Sequence, residues 1–222
     1  MKNTKEYSWD NLELDEETKN EFAILLGRNE SELRLTFATT YTNLNKMIEM
    51  AYEVILSSEK NNWTDIKIIW NAIGYMLYIS LESKHAIELL VYEENFDNQR
   101  LYIKNIINII YESINDLESL LGGKLSQEVI KLGINKEILS DLKLERNKIS
   151  NFKKLYFSDL QYVRNAFCGH RDHNFIDYNA IYKSIEKSSI MKLVFLYDDI
   201  VNSLGKPMTD IMNESARIKT SN

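Results

Sequence analysis

The densest group of side chains able to do chemistry is Tyr162-Val163-Arg164-Asn165-Ala166-Phe167-Cys168-Gly169-His170-Arg171-Asp172-His173-Asn174. Five residues separate Arg164 from His170. A guanidinium clamps a phosphate with paired hydrogen bonds and stabilises charge developing on its oxygens. A neutral imidazole takes or gives a proton near neutral pH. Together they suffice for RNA cleavage without a metal, in which the ribose 2′-hydroxyl attacks the adjacent phosphate. Asn165 is placed to orient either group.

That chemistry needs a scaffold that brings the two side chains together. The preceding helix carries an apolar stripe at Phe152, Tyr156, Leu160, Val163 and Phe167. Successive helical residues turn about 100°, which puts Arg164 roughly 80° from the stripe's centre. At that edge the stem can pack while the charged head emerges. Gly169 is the natural left-handed residue to end the helix, so His170 falls just past it and the imidazole can swing back beside the guanidinium.

The rest of the chain also reads as helix, by apolar residues at three- and four-residue steps. A short helix over about 16–26 ends at Gly27. A second runs from about Ser31, a candidate cap, to Leu56, with Leu33, Phe37, Tyr41, Leu44, Ile48, Ala51 and Ile55 on one face. The third, about 64–92, is apolar on nearly all sides, which suits the centre of a bundle or a dimer interface. The fourth, about 97–121, carries Ile103, Ile107, Ile110, Ile114, Leu117 and Leu121, a heptad seam. A short helix over about 126–132 and a long one over about 136–168 follow. The last runs over about 177–204, stopped by Gly205 and Pro207, with a frayed tail after Met212. The expected architecture is therefore all-α, a single helical bundle of five to seven helices in one domain spanning 1–222, its core within about 16–205.

Composition agrees. The chain has 222 residues, 44% of them hydrophobic, with 13 Tyr, 8 Phe and 3 Trp, enough to fill one substantial core. One Pro and seven Gly leave few of the tight turns that an all-β fold needs. A single cysteine, Cys168, cannot form an intrachain disulfide and reads as packing. The start is polar and acidic rather than basic then apolar, so no secretory leader is expected. No stretch approaches the ~20 apolar residues of a membrane span. The cytoplasm is the expected compartment.

Net charge is −6, which argues against indiscriminate binding to nucleic acid. Yet between 143 and 171 Lys143, Arg146, Lys148, Lys153, Lys154, Arg164 and Arg171 face only Glu145 and Asp159. A basic helix on an acidic body fits a local polyanion site, and equally a solvated Lys-rich face. Lys153, Lys154 and Arg171 are the candidate RNA contacts beside the Arg164–His170 pair.

The Arg164-Asn165 dipeptide followed by His170, near a helix end in an all-α chain, resembles the signature of the HEPN superfamily. The resemblance covers that motif and the helical plan over about 30–205. It implies an RNA-cleaving or RNA-binding protein of the kind found in bacterial toxin–antitoxin and phage-defence systems. It also implies a homodimer with the two motifs facing one another, and a cognate antitoxin protein as a partner. Carried over, Arg164 and His170 are catalytic and Asn165 supports them, with no cofactor. Some family toxins have a Tyr two residues after the His that a partner enzyme modifies. This chain has Asp172 there, which puts that form of regulation in doubt.

Other chemistries are weaker. His170, Asp172, His173 and Asp177 could ligate a metal, but the chain has three His and no Cys pair, so no metal site is expected. Glu82 and His85 have the spacing of a di-metal bundle without its second copy; His85 reads as a polar position on the third helix. His170-Arg171-Asp172 lacks the Gly-rich loop of a kinase. Against the nuclease stands a structural role, in which Arg164 pairs with Asp172 or Asp159 and His170 caps a helix. The alternative function is a non-catalytic interaction or regulatory bundle that uses the third and fourth helices to bind itself or a partner.

Overall fold

The computed structural model describes residues 6–168 and 175–220, and nearly all of them are helical. The order is α1 (Glu16–Gly27), α2 (Glu30–Lys60), α3 (Thr64–Tyr92), α4 (Phe96–Leu120), α5 (Gly123–Lys131) and α6 (Lys136–Val163). A π turn (Arg164–Cys168) extends α6, followed by α7 (Phe175–Ser184), α8 (Lys187–Ser203) and α9 (Gly205–Thr220). No strand occurs among the described residues, and no helix among them is long and apolar enough to cross a membrane.

Each helix read from the periodicity is present, with local differences. Asn29, not Ser31, caps α2, its side chain accepting from the Glu32 amide at 3.0 Å. The expected 177–204 helix divides at Ile185 and Glu186. The division lets Lys187 reach the end of α3, where its ammonium donates to the Val91 and Glu93 carbonyls at 3.3 and 2.9 Å. Those carbonyls have no partner within their own helix and no basic residue in α3's last turn to serve them. Gly205 and Pro207 do end α8, but they also open α9, because the first turn is where a proline's missing N–H costs nothing. The tail expected to fray after Met212 is helical to Thr220. Ile211 and Ser215 are fully buried, and Ser215 accepts a hydrogen bond from the Trp70 indole at 3.3 Å.

Helix α3 is the central element, packed against α2, α4, α5, α8 and α9. Ile66, Ile69, Trp70, Ala72, Ile73, Met76, Ile79, Ala86, Ile87 and Leu90 are all buried within the chain. Its apolar surplus, the observation that suggested a dimer interface, is thus largely absorbed by the bundle. The heptad positions of α4 are at most 1% exposed. Buried apolar residues form one continuous core from Tyr7 to Met212. That core starts before α1, ahead of the expected boundary near residue 16: Tyr7 and Trp9 are buried and stack at 5.0 Å. Ser8 donates its amide to Asp159 of α6 at 2.7 Å, and the Tyr7 hydroxyl lies 3.3 Å from Ser184 Oγ at the end of α7. The N-terminal segment therefore straps α6 to α7.

Candidate functional site

The heptad that packs α4 also sets what stands over the site. Ile103, Ile110 and Leu117 turn inward, and the residue after each, Lys104, Tyr111 and Glu118, flanks the seam. This stripe meets α6 and the π turn in reverse order. The Lys104 ammonium lies 5.9 Å from the centre of the Phe167 ring. Tyr111 stacks on Phe157 at 4.9 Å with 18° between the planes. Glu118 accepts from Lys153 at 2.5 Å and from the Ser150 hydroxyl at 3.2 Å. Two helices of opposite direction are thereby registered over about four turns.

Arg164 opens the π turn, a wide turn with one extra residue that typically occurs at functional sites. Helices α4, α6 and α7 all pack on it. Its buried residue is Phe167, ringed by Tyr178 and Tyr182 at 5.3 and 6.2 Å; Asn165 is exposed. The Arg164 side chain is 30% exposed, as the sequence reading expects of an edge residue. Its guanidinium lies 5.4 Å from the centre of the Tyr111 ring. Nη2 donates to Glu112 Oε1 at 2.9 Å, and Nη1 reaches Asn165 Oδ1 at 3.4 Å. Nε is buried without an acceptor among the described residues. Among the described residues the carboxylate facing Arg164 is Glu112 of α4, whereas Asp159 is engaged by the Ser8 amide.

The candidate RNA contacts separate. Lys153 is half-buried, bonded to Glu118 and 5.4 Å from the centre of the Phe157 ring. Its ammonium, through that hydrogen bond, holds the Glu118 carboxyl below the usual carboxylate range, helped by Ser150 and by the charge of Arg146. Lys154 is exposed on the outer side of α6. Residues Gly169, His170, Arg171, Asp172 and His173 lie outside the described residues, as do the side chains of Cys168 and Asp177. The structure therefore brings Arg164, Asn165 and Lys153 to one seam. Among the described residues no group of three or more His, Cys, Asp or Glu is close enough to hold a metal. His85 stacks on Tyr41 at 3.9 Å.

Several participants are absent from the sequence reading: Tyr111, Glu112, Glu118, Phe157 and Arg100. The first four were open to inference, since residues beside a heptad seam make the contacts to the neighbouring helix. Arg100 had no such signal. It is buried at the start of α4, 3.0 Å from the centre of the Phe96 ring and 4.9 Å from that of Tyr182. Its Nε donates to the Tyr182 carbonyl, and burial pushes its pKa down. It ties α4 to α7, the helix that follows the His170 segment.

Comparisons with protein-family models, with curated proteins and with solved structures gave no match.

Proposed function

We propose that this chain is an HEPN-like protein acting on RNA, a metal-independent endoribonuclease of a toxin–antitoxin or phage-defence system. Arg164 binds the scissile phosphate, His170 moves the proton and Asn165 supports them. The observation that carries this reading is the placement of Arg164: a partly exposed guanidinium on a π turn, lying beside the Tyr111 ring. An arginine needed only to hold helices together has no reason to sit at a wide turn six residues before a histidine. The test is cleavage of single-stranded RNA by purified protein in excess chelator, because imidazole and guanidinium need no cation. Absence of cleavage and of RNA binding would count against the reading. We further propose a homodimer, checked by light scattering at micromolar concentration; a monomer there counts against it.

One observation favours the second reading, an interaction bundle. Between α2 and α3 lies an open groove floored by Ala51 and Gly74 and walled by Ile48, Ile55, Tyr52, Tyr75 and Tyr78, with Tyr52 58% and Tyr78 52% exposed. Exposed aromatic surface of this kind is typical of protein contacts. Retained partner binding by an Arg164→Ala variant that has lost nothing else would favour that reading over the nuclease.

A further inference from the structure

Arg146, Lys153 and Arg164 lie on one face of α6 and its extension, seven and eleven residues apart, and α4 answers them with carboxylates. Glu112 takes Arg164 at 2.9 Å and Glu118 takes Lys153 at 2.5 Å, while Arg146 adds its charge at Glu118. Between the two ion pairs the rings of Tyr111 and Phe157 are stacked, with Arg164 beyond one ring and Lys153 beyond the other. The order along the seam is cation, ring, ring, cation, with a carboxylate beside each cation.

These pairs are not buried locks. Arg164 and Glu112 are 30% and 50% exposed, and Lys153 and Glu118 are 29% and 31% exposed. Pairs so open to water are worth little and exchange readily. A carboxylate and a phosphate offer a guanidinium or ammonium the same thing, a pair of anionic oxygens at hydrogen-bond distance. Among the described residues Arg164 is also under-used, with one strong bond, one long one to Asn165 and an Nε that has no acceptor.

We propose that the α4–α6 seam is a track for the backbone of single-stranded RNA, in which Glu112 and Glu118 hold the two cations until phosphates replace them. The proposal rests on the reading of RNA as substrate and adds where the strand runs and what it displaces. Eleven helical residues rise about 16 Å, much more than the axial step between neighbouring phosphates of a strand. Arg164 and Lys153 therefore engage phosphates several nucleotides apart, with the edges of Tyr111 and Phe157 beneath the intervening sugars and bases. The carboxylates make the track selective, because a ligand must offer two well-spaced anions to replace both.

The test is fluorescence anisotropy with a labelled 2′-O-methyl RNA oligonucleotide, which binds but offers no 2′-hydroxyl for cleavage. Glu112→Gln and Glu118→Gln should each tighten binding by up to about fivefold, the worth of a half-exposed ion pair, and the double variant should combine the gains. Asp116→Asn is the control. It removes the same charge one turn from Glu112, but Asp116 accepts from Tyr75 and restrains neither cation. Tightening by Glu112→Gln that exceeds the Asp116→Asn effect supports the track. Equal effects, or weaker binding by Glu112→Gln, would overturn it and make Glu112 a residue that positions Arg164. Lack of binding by the wild type and every variant would instead overturn the RNA reading itself, and the track with it.

Discussion

Replacing Arg164 separates a catalytic from a structural role, because the structure limits what the residue contributes to stability. Arg164→Ala removes a half-exposed ion pair with Glu112, worth about 0.2–1 kcal/mol. It also removes a cation–π contact with Tyr111, worth about 0.5–1 kcal/mol at such exposure. The expected loss is about 1–2 kcal/mol, which for a chain of this size lowers Tm by roughly 2–8 °C. Loss of a preorganised donor to a developing phosphate charge costs about 10²–10³ in rate. Arg164→Lys sharpens the contrast. An ammonium keeps the charge facing Glu112, so stability should stay near wild type, yet it cannot make the two-pronged phosphate contact and cleavage should still collapse. His170→Ala should cost about 10²–10⁴, and Asn165→Ala less. The assay pairs cleavage of a labelled single-stranded RNA in chelator with thermal melts of the same preparations. Wild-type cleavage by Arg164→Lys or His170→Ala would refute the assignment. A loss of stability well above about 2 kcal/mol in Arg164→Ala would refute the energetic reasoning.

Other perturbations test the scaffold. Lys84 and Asp198 form an ion pair between α3 and α8, both largely buried, so Lys84→Met should cost about 3–5 kcal/mol in denaturant unfolding while Lys84→Met with Asp198→Leu costs far less. Ile211→Ala should cost about 2–5 kcal/mol because the side chain is fully buried in α9; a frayed tail would give a change near zero. A double-mutant cycle between Tyr111→Leu and Arg164→Ala should return a coupling of about 0.5 kcal/mol or more, and strict additivity would show that the ring does not restrain the guanidinium. The hydrogen bond to Asp116, with burial next, pushes the Tyr75 hydroxyl up to about 12. The folded state thus keeps a proton that the unfolded chain loses near its usual value of about 10. The stability this contributes is complete below about pH 10 and lost as pH rises toward 12. Tyr75→Phe should lack that part of the alkaline loss, as measured by denaturant unfolding on either side of the window.

Most of the fold was legible because periodicity records burial. The heptad residues of α4 and the two-sided apolar pattern of α3 translate directly into a buried seam and a central helix. What periodicity misses is structure decided between distant segments. The expected last helix divides where Lys187 turns to the carbonyls at the end of α3. Ser215 is drawn inside by Trp70 from 145 positions away. Tyr7 and Trp9 are too few and too early to form a pattern, yet both are core residues. At the site, the helix edge predicted for Arg164 is correct, since angle on a wheel is local. Its partner was not predictable in the same way. Asp159 is near in sequence, but Glu112 stands 52 residues away on a neighbouring helix.

The charge of the site illustrates why local composition misleads. Counted along the chain, 143–171 is strongly basic. In space, its cations divide by the side of α6 they occupy. Lys143 and Lys154 face outward and are exposed; Lys148 pairs with Glu145 at 2.8 Å; Lys153 and Arg164 turn toward α4 and meet Glu118 and Glu112. Another carboxylate of α4, Asp116, is taken up by Tyr75 of α3. The field over the seam is therefore close to balanced, not positive. If RNA binds as proposed, its long-range attraction falls mainly to the outer lysines, whose effect fades over about 10 Å at moderate salt. Contact at the seam must then be won by exchanging one anion for another. Such an exchange depends on the spacing and geometry of the incoming oxygens more than on their total charge. On the RNA reading proposed above, a helix that is basic in sequence would serve two different ends, attraction on its outer side and discrimination on the side that faces α4.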